Sequence, residues 1–198
     1  RPVALVVGGG YTGLELACNL QYAGRRCAPL PEVHVVELKD RILPFMPDWV
    51  HDYIQSRARL RGIHLDPGTS AETFDGSTVT LADGRGFRDA FLCWSTGTRF
   101  GIDNVDGELQ QLKDGRIEVD ACLRVPRHPE VFAAGDAAAL RRDGELLRKA
   151  VNFSRDSGRA AGRNIGRLLQ DKPAQPFRAV DLGWVIPFCD VGVGELFT

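Results

Sequence analysis

The stretch VALVVGGGYTGLELA, residues 3–17, decides the fold. Val3 to Val7 is an unbroken apolar run, the glycines Gly8, Gly9, Gly10 and Gly13 follow, and a helix-like segment takes over. A buried strand, a tight glycine turn and a helix N-terminus, in that order, suit the diphosphate of a dinucleotide. Gly8 permits the sharp turn. Gly10 carries no Cβ to keep a phosphate away, and Gly13 lets the helix pack close to the strand. The unsatisfied N–H groups of the turn and of the first helical residues, Tyr11 and Thr12 among them, then face the anion together with the positive end of the helix dipole. The plain alternative is a glycine turn that serves packing alone.

Outward from this turn, the helix is expected over Thr12–Ala23, with Gly24 as its stop. After a loop containing Arg25, Arg26, Pro29 and Pro31, VHVVEL (Val33–Leu38) reads as a second strand carrying Glu37 at its end. Glu37 stands 24 residues past Gly13, against the roughly 20 expected of the acid that bonds the adenosine ribose. A carboxylate there repels a 2′-phosphate, so NAD(H) is preferred over NADP(H). Lys39 and Arg41, just beyond, weigh the other way, and an ordinary strand-end charge is the alternative for Glu37. A second helix is expected over Asp48–Leu60, with Val50, Tyr53, Ile54 and Ala58 as its apolar stripe and Gly62 at its end, followed by a strand from Ile63 to Leu65.

From Thr69 to Ser95 the texture changes to short alternating segments separated by Asp75-Gly76 and Asp83-Gly84, which are hairpin signals. A three-stranded meander here replaces one crossover helix. AFLCWSTGT then reads as a central strand, which puts Gly97 and Thr98 on the same rim as Gly8–Gly13, because ligands bind at the carboxyl ends of strands in such sheets. After Gly101 the pattern restarts with a turn and short strand in KDGRIEVD, an apolar strand in PEVFAAGDAAA, a helix over Val151–Gln170 and a final group of strands and turns. The fold class is therefore α/β, a Rossmann-like parallel sheet with a β-meander crossover.

Composition narrows the function. The net charge of -1 offers no footprint for nucleic acid. The four histidines lack metal-ligand spacing, and no apolar run is long enough to cross a bilayer. The five cysteines, Cys18, Cys27, Cys93, Cys122 and Cys189, are scattered with no C-x-x-C. They read as small buried hydrophobes in a reducing, cytoplasmic compartment, Cys93 in particular as core. No nucleophile–base pair, G-x-S-x-G or H-E-x-x-H appears, so the chemistry has to come from a cofactor.

Four ordered segments, GGGYTGLELA, VELKDRILP with LRGIHL, WSTGT, and RIEVDACLRVPRHPEVFAAGDAAA, resemble the two-dinucleotide-binding-domain flavoproteins. That group includes the pyridine nucleotide–disulfide oxidoreductases and the type II NADH dehydrogenases. The helix SGRAAGRNIGRLL, followed by PF and GVGEL, is most similar to the NADH dehydrogenase branch. The resemblance implies an FAD domain interrupted by an inserted NAD(P)H domain. Residues 1–101 would be the NAD(P)H-binding domain, 102–150 the returning half of the FAD domain, and 151–198 the helix of the FAD domain and the start of an interface domain. It further implies that Gly135 and Asp136 belong to the second FAD motif, with Asp136 on a ribityl hydroxyl. The first FAD fingerprint would lie upstream of Arg1, which makes the chain a fragment of a longer parent.

Glu15 keeps two readings: complementing the helix dipole in the first turn, or facing the flavin as the matching glutamate of the resembled family does. Gly158, Gly162 and Gly166 form a stripe suited to close packing against a sheet or cofactor, and the interleaved Arg155, Arg159, Arg163 and Arg167 exclude a membrane-dimer motif. If that helix starts near Ala150, its N-terminus points at the flavin pyrimidine ring. The implied activity is hydride transfer from nicotinamide C4 to flavin N5, and onward to a small-molecule acceptor such as a quinone. The expected partners are that acceptor, the N-terminal FAD half and a second copy in a homodimer, with the parent docking peripherally on a membrane. Alone, the chain is expected to bind NAD(H) weakly, bind little FAD and not turn over. The alternative from another class is a non-catalytic nucleotide-binding or sensing module.

Overall fold

The computed structural model describes residues 1–98 and 109–196. In chain order the first elements are β1 (Val3–Val7), α1 (Tyr11–Gly24), β2 (Glu32–Glu37), α2 (Asp48–Arg61), β3 (Ile63–Pro67), β4 (Ala71–Phe74), β5 (Thr78–Leu81), β6 (Gly86–Arg88) and β7 (Phe91–Trp94). The later ones are β8 (Arg124–Val125), β9 (His128–Phe132), β10 (Arg141–Arg142), β11 (Glu145–Leu146), α3 (Val151–Leu168), β12 (Trp184–Phe188) and β13 (Val191–Glu195). They fall into two compact units. One joins Arg1–Gly97 to Trp184–Glu195, and the other holds the remaining described residues. The domain boundary expected at 101/102 lies outside the described residues, and the hairpin β12–β13, expected with the C-terminal segment, groups with the N-terminal unit.

In the N-terminal unit four parallel strands stand in the order β3-β2-β1-β7. Side chains alternate between the two faces of a strand, and the two faces are covered differently. Ala4, Val6, Val33 and Val35 pack with Leu14 and Ala17 of α1, Val50, Ile54 and Ala58 of α2, and Ile186, Phe188 and Val193 of the hairpin. Leu5, Val7 and Val36 pack on the opposite face with Val79 and Leu81 of the meander β4-β5-β6. Three antiparallel strands thus occupy the place of a crossover helix, as the Asp-Gly turns predict; Gly76 and Gly84 have φ of +96° and +86°. Gly62 stops α2 with φ +68°, a conformation that costs glycine nothing.

Three expectations need correction. β7 is the edge of this sheet rather than a central strand; its Phe91 and Trp94 are exposed and its Cys93 is only half-buried. Tyr53 faces outward, so the buried stripe of α2 is Val50, Ile54 and Ala58. Cys27 and Cys189 are exposed, and the cysteines are not all scattered in space, because Cys18 and Cys189 meet.

The second unit is built on α3. Phe153, Ala160 and Ala161 pack against Leu123, Val125, Ala133 and Leu140. Asn164, buried on the same helix, donates to the carbonyls of Cys122 and Gln175 and accepts from the Gln175 amide. The glycine stripe is not part of this packing: a Cβ added at Gly158, Gly162 or Gly166 meets nothing within 4 Å. Among the described residues no helix is long and apolar enough to cross a membrane, and no group of three or more His, Cys, Asp or Glu side chains could hold a metal ion.

Candidate dinucleotide site

The glycine turn is locked from three sides. The Gly8 amide donates to the Val36 carbonyl at 2.8 Å, which ties the turn to β2. Ser95, just past β7, donates its hydroxyl to the carbonyls of Val7 and Gly8 at 3.0 and 3.3 Å. Gly8 has φ +112°, and a Cβ there would stand 2.5 Å from the Ser95 carbonyl oxygen. A Cβ on Gly13 would lie 1.8 Å from the Gly8 carbonyl oxygen, so glycine is what lets α1 approach β1. Gly10 differs: a Cβ there meets nothing within 4 Å. It faces open space at the mouth of α1, where a phosphate approaching the backbone would lie.

The N-cap of α1 is Gly10, which has no side chain to cap with, and no acidic residue stands in the first turn. The helix thus supplies no carboxylate of its own to its N-terminal amides, which suits an external anion. Glu15, expected in that turn, lies one residue beyond it and is exposed.

The Glu37 carboxylate closes the mouth from β2. Its Oε2 accepts from the Gly9 amide at 2.7 Å and its Oε1 accepts from the Lys39 amide at 2.9 Å. Charge-assisted bonds of this kind are about twice as strong as neutral ones, so the acid is held in place against the glycine turn. A cavity of about 510 Å³ opens at the carboxyl ends of β1, β2 and β7. Gly8, Gly10, Tyr11, Thr12, Glu37 and Gly97 line it, whereas Gly9, Gly13 and Thr98 do not. Gly97 has φ +112° and open space where a Cβ would be.

The sequence reading missed the other walls. Between β2 and α2 the chain turns on Leu43, which has φ +45°, is fully buried and donates its amide to the Gly9 carbonyl at 3.0 Å. That turn sets Pro44 and Phe45 against the cavity, with Phe45 60% exposed and 5.3 Å from the Tyr11 ring. Thr69, Ser70 and Ala71 contribute from the start of the meander, and Trp94, Ser95 and Thr96 from the end of β7. An aromatic inside the polar LKDRILPF loop was the one available signal. Lys39 lines the cavity, but Arg41 does not: it pairs with Asp48 at 2.5 Å.

In the other unit Gly135, with φ +66°, opens a short 3-10 turn over Gly135–Ala137. Its amide donates to the fully buried Ser157 hydroxyl at 2.9 Å, and Asp136 is exposed and accepts from the Ser154 hydroxyl at 2.8 Å. Both serines belong to α3, so the helix fixes the turn while Asp136 keeps a free face.

The chain is similar to known proteins over nearly its whole length. An NADH dehydrogenase-like protein of Mycobacterium tuberculosis is 31% identical over 203 residues, covering 98% of this chain and 50% of the relative. The type II NADH:quinone oxidoreductase of Haemophilus influenzae is 26% identical, covering 91% of this chain and 43% of the relative. The chain thus spans about half the length of these curated relatives. Among solved structures, the NADH-bound water-forming NADH oxidase from Lactobacillus brevis superposes with a TM-score of 0.80 at 23% identity, over 98% of this chain and 42% of that one. Residues 2–154 match the family described as pyridine nucleotide-disulphide oxidoreductase. The chain belongs to that family of oxidoreductases.

Proposed function

We propose that this chain is the NADH-binding and flavin-contacting part of an FAD-dependent NADH oxidoreductase. The observation that carries the reading is the mouth of α1: Gly10 open to space, no acidic residue in the first helical turn, and the Glu37 carboxylate fixed on the Gly9 amide. The residues fit the coenzyme. Of the expected Gly8–Gly13 turn, the cavity-lining backbone at Gly10, Tyr11 and Thr12 would carry its diphosphate, and its adenosine ribose hydroxyls would donate to Glu37. The nicotinamide end would run toward the rim at Trp94 and Gly97, with Thr98 beyond it. NAD(H) is preferred over NADP(H), since Glu37 repels a 2′-phosphate and Arg41 is engaged by Asp48.

Gly135 and Asp136 fit the ribityl side of FAD, because the turn is held by Ser157 and the exposed carboxylate is free to accept from a hydroxyl. Bound together, the two cofactors supply hydride transfer from nicotinamide to flavin. The adenylate end of FAD needs a second glycine turn. Among the described residues only one such turn leads a parallel strand into a helix, so we assign that seat to sequence outside this chain. A quinone is the proposed acceptor, since the Haemophilus influenzae relative is named for one.

Calorimetric titration of the chain with NADH, NADPH and FAD tests this. Saturable NADH binding that is weaker for NADPH, with weak FAD binding, is the expected result. Absence of NADH binding overturns the reading, and tight stoichiometric FAD binding overturns the assignment of the adenylate seat.

A further inference from the structure

At the edge of the apolar contact between α1 and the C-terminal hairpin, two sulfurs meet. Cys18 sits on the buried face of α1, 7% exposed. Cys189 is the first of the two residues that turn β12 into β13, and it is exposed. Their Sγ atoms are 2.9 Å apart, and the Cys189 amide also donates to the Cys18 Sγ at 3.0 Å. A disulfide bond is about 2.05 Å long, so less than an ångström of travel separates the pair from covalent union.

The turn carries a second sign. Cys189 has φ +56°, a left-handed position that two-residue hairpins give to Gly, Asn or Asp by default. A cysteine held in that conformation, with its thiol aimed at another cysteine, is a backbone outlier of the kind found at functional sites. A depression of about 330 Å³, lined by both cysteines together with Tyr22, Arg25, Arg61 and Asp190, gives a small oxidant access. Burial, then the hydrogen bond with Cys189, pushes the Cys18 thiol well above its ordinary value, so Cys18 stays protonated while the exposed partner meets the oxidant first.

We propose that Cys18 and Cys189 are an oxidation site that takes hydrogen peroxide and closes to an intramolecular disulfide. In the first step the Cys189 sulfur attacks one peroxide oxygen, the O–O bond breaks, and Cys189 sulfenic acid and one water form. In the second step the Cys18 sulfur attacks the Cys189 sulfur, the S–O bond breaks, and the hydroxyl leaves as water with the Cys18 proton. Two thiols are oxidised and one peroxide is reduced to two waters. The bond staples the hairpin to the helix that opens the candidate dinucleotide site. It also links residues 171 positions apart, a long loop whose closure restricts the unfolded chain.

The test treats the reduced chain with equimolar hydrogen peroxide, alkylates it in denaturant and maps peptides without reductant. The expected result is loss of two of the five thiols, a mass lower by two hydrogens, a Cys18–Cys189 linked peptide, and a melting temperature that rises and returns with dithiothreitol. In Cys189→Ser, Cys18 is recovered alkylated. In Cys18→Ser, Cys189 is trapped as its sulfenic acid by dimedone. Five alkylated thiols after peroxide, a cross-link through Cys27 instead, or oxygenated Cys189 beside free Cys18 in the unmutated chain overturns the proposal.

Discussion

Glu37 and Gly9 are joined, carboxylate to backbone amide, at 2.7 Å across the ends of two parallel strands. The bond couples the acid proposed to read the ribose to the turn proposed to seat the diphosphate. Replacing Glu37 by Gln keeps one acceptor oxygen for Gly9 but removes the charge. NADH affinity is expected to fall about tenfold, equivalent to roughly 1–2 kcal/mol for one charged hydrogen bond, while the disadvantage of NADPH shrinks. Parallel titrations of both coenzymes read this, and an unchanged NADH-to-NADPH ratio would remove Glu37 from the specificity argument.

Gly10 and Gly13 separate binding from folding. A Cβ at Gly10 meets nothing, and its φ of -81° is open to any residue. Gly10→Ala is therefore expected to melt within about 0.5 kcal/mol of the parent, yet to bind NADH at least tenfold more weakly because the methyl occupies the phosphate approach. Gly13→Ala drives a methyl to 1.8 Å from the Gly8 carbonyl oxygen. It is expected to cost about 2–4 kcal/mol, as overpacking does, and to lower the melting temperature by several degrees. Thermal melts alongside NADH titration distinguish the two. Equal loss of stability in both variants would mean that the open space at Gly10 is not available to a ligand.

Much of this site was legible because it is local in sequence. The apolar run and glycine spacing of residues 3–17 fix β1 and the turn, and Glu37 follows from its distance along the chain. Gly76 and Gly84 mark the meander because Asp-Gly turns leave a signature in two adjacent residues. What escaped depends on long-range packing. Phe45 reaches the cavity only because Leu43 is buried in a left-handed turn that donates to Gly9. The edge position of β7, the outward Tyr53 and the meeting of Cys18 with Cys189 likewise follow from pairings that hydrophobic period cannot encode. The glycine stripe of α3 misled for the same reason: period four identifies a face but not what covers it.

Acid should loosen the meander from β3. The His34 ring donates Nδ1–H to Asp66 at 2.9 Å, Arg85 donates to the other Asp66 oxygen at 2.6 Å, and the His64 ring stacks on His34 at 4.5 Å. Burial pushes the Asp66 carboxyl up, but the hydrogen bonds from His34 and Arg85 outweigh it and hold the group below its ordinary value. A carboxyl depressed in the folded state stabilises fully above its unfolded value of about 3.9. That contribution is lost as pH falls through the lower folded value. The gap in melting temperature between the parent and Asp66→Asn should thus close below about pH 4. A gap that persists unchanged in acid would mean that Asp66 acts through packing rather than charge.

Ser157 and Asp136 should part company in the same way within the second unit. Ser157 is fully buried and accepts from the Gly135 amide, so Ser157→Ala leaves that N–H without its partner. The expected cost is about 1–3 kcal/mol, read as a lower melting temperature. Asp136 is exposed and, among the described residues, is tied to the Ser154 hydroxyl at 2.8 Å, so Asp136→Ala should melt within about 0.5 kcal/mol of the parent. If its carboxylate receives a ribityl hydroxyl, the same substitution raises the dissociation constant for FAD about tenfold or more, the worth of one charge-assisted bond. Flavin fluorescence titration measures this, with riboflavin as a second ligand that carries the ribityl chain without the adenylate. A loss shared by FAD and riboflavin locates the contact on the ribityl side. FAD affinity equal to that of the parent would leave Asp136 as the partner of Ser154 and nothing more.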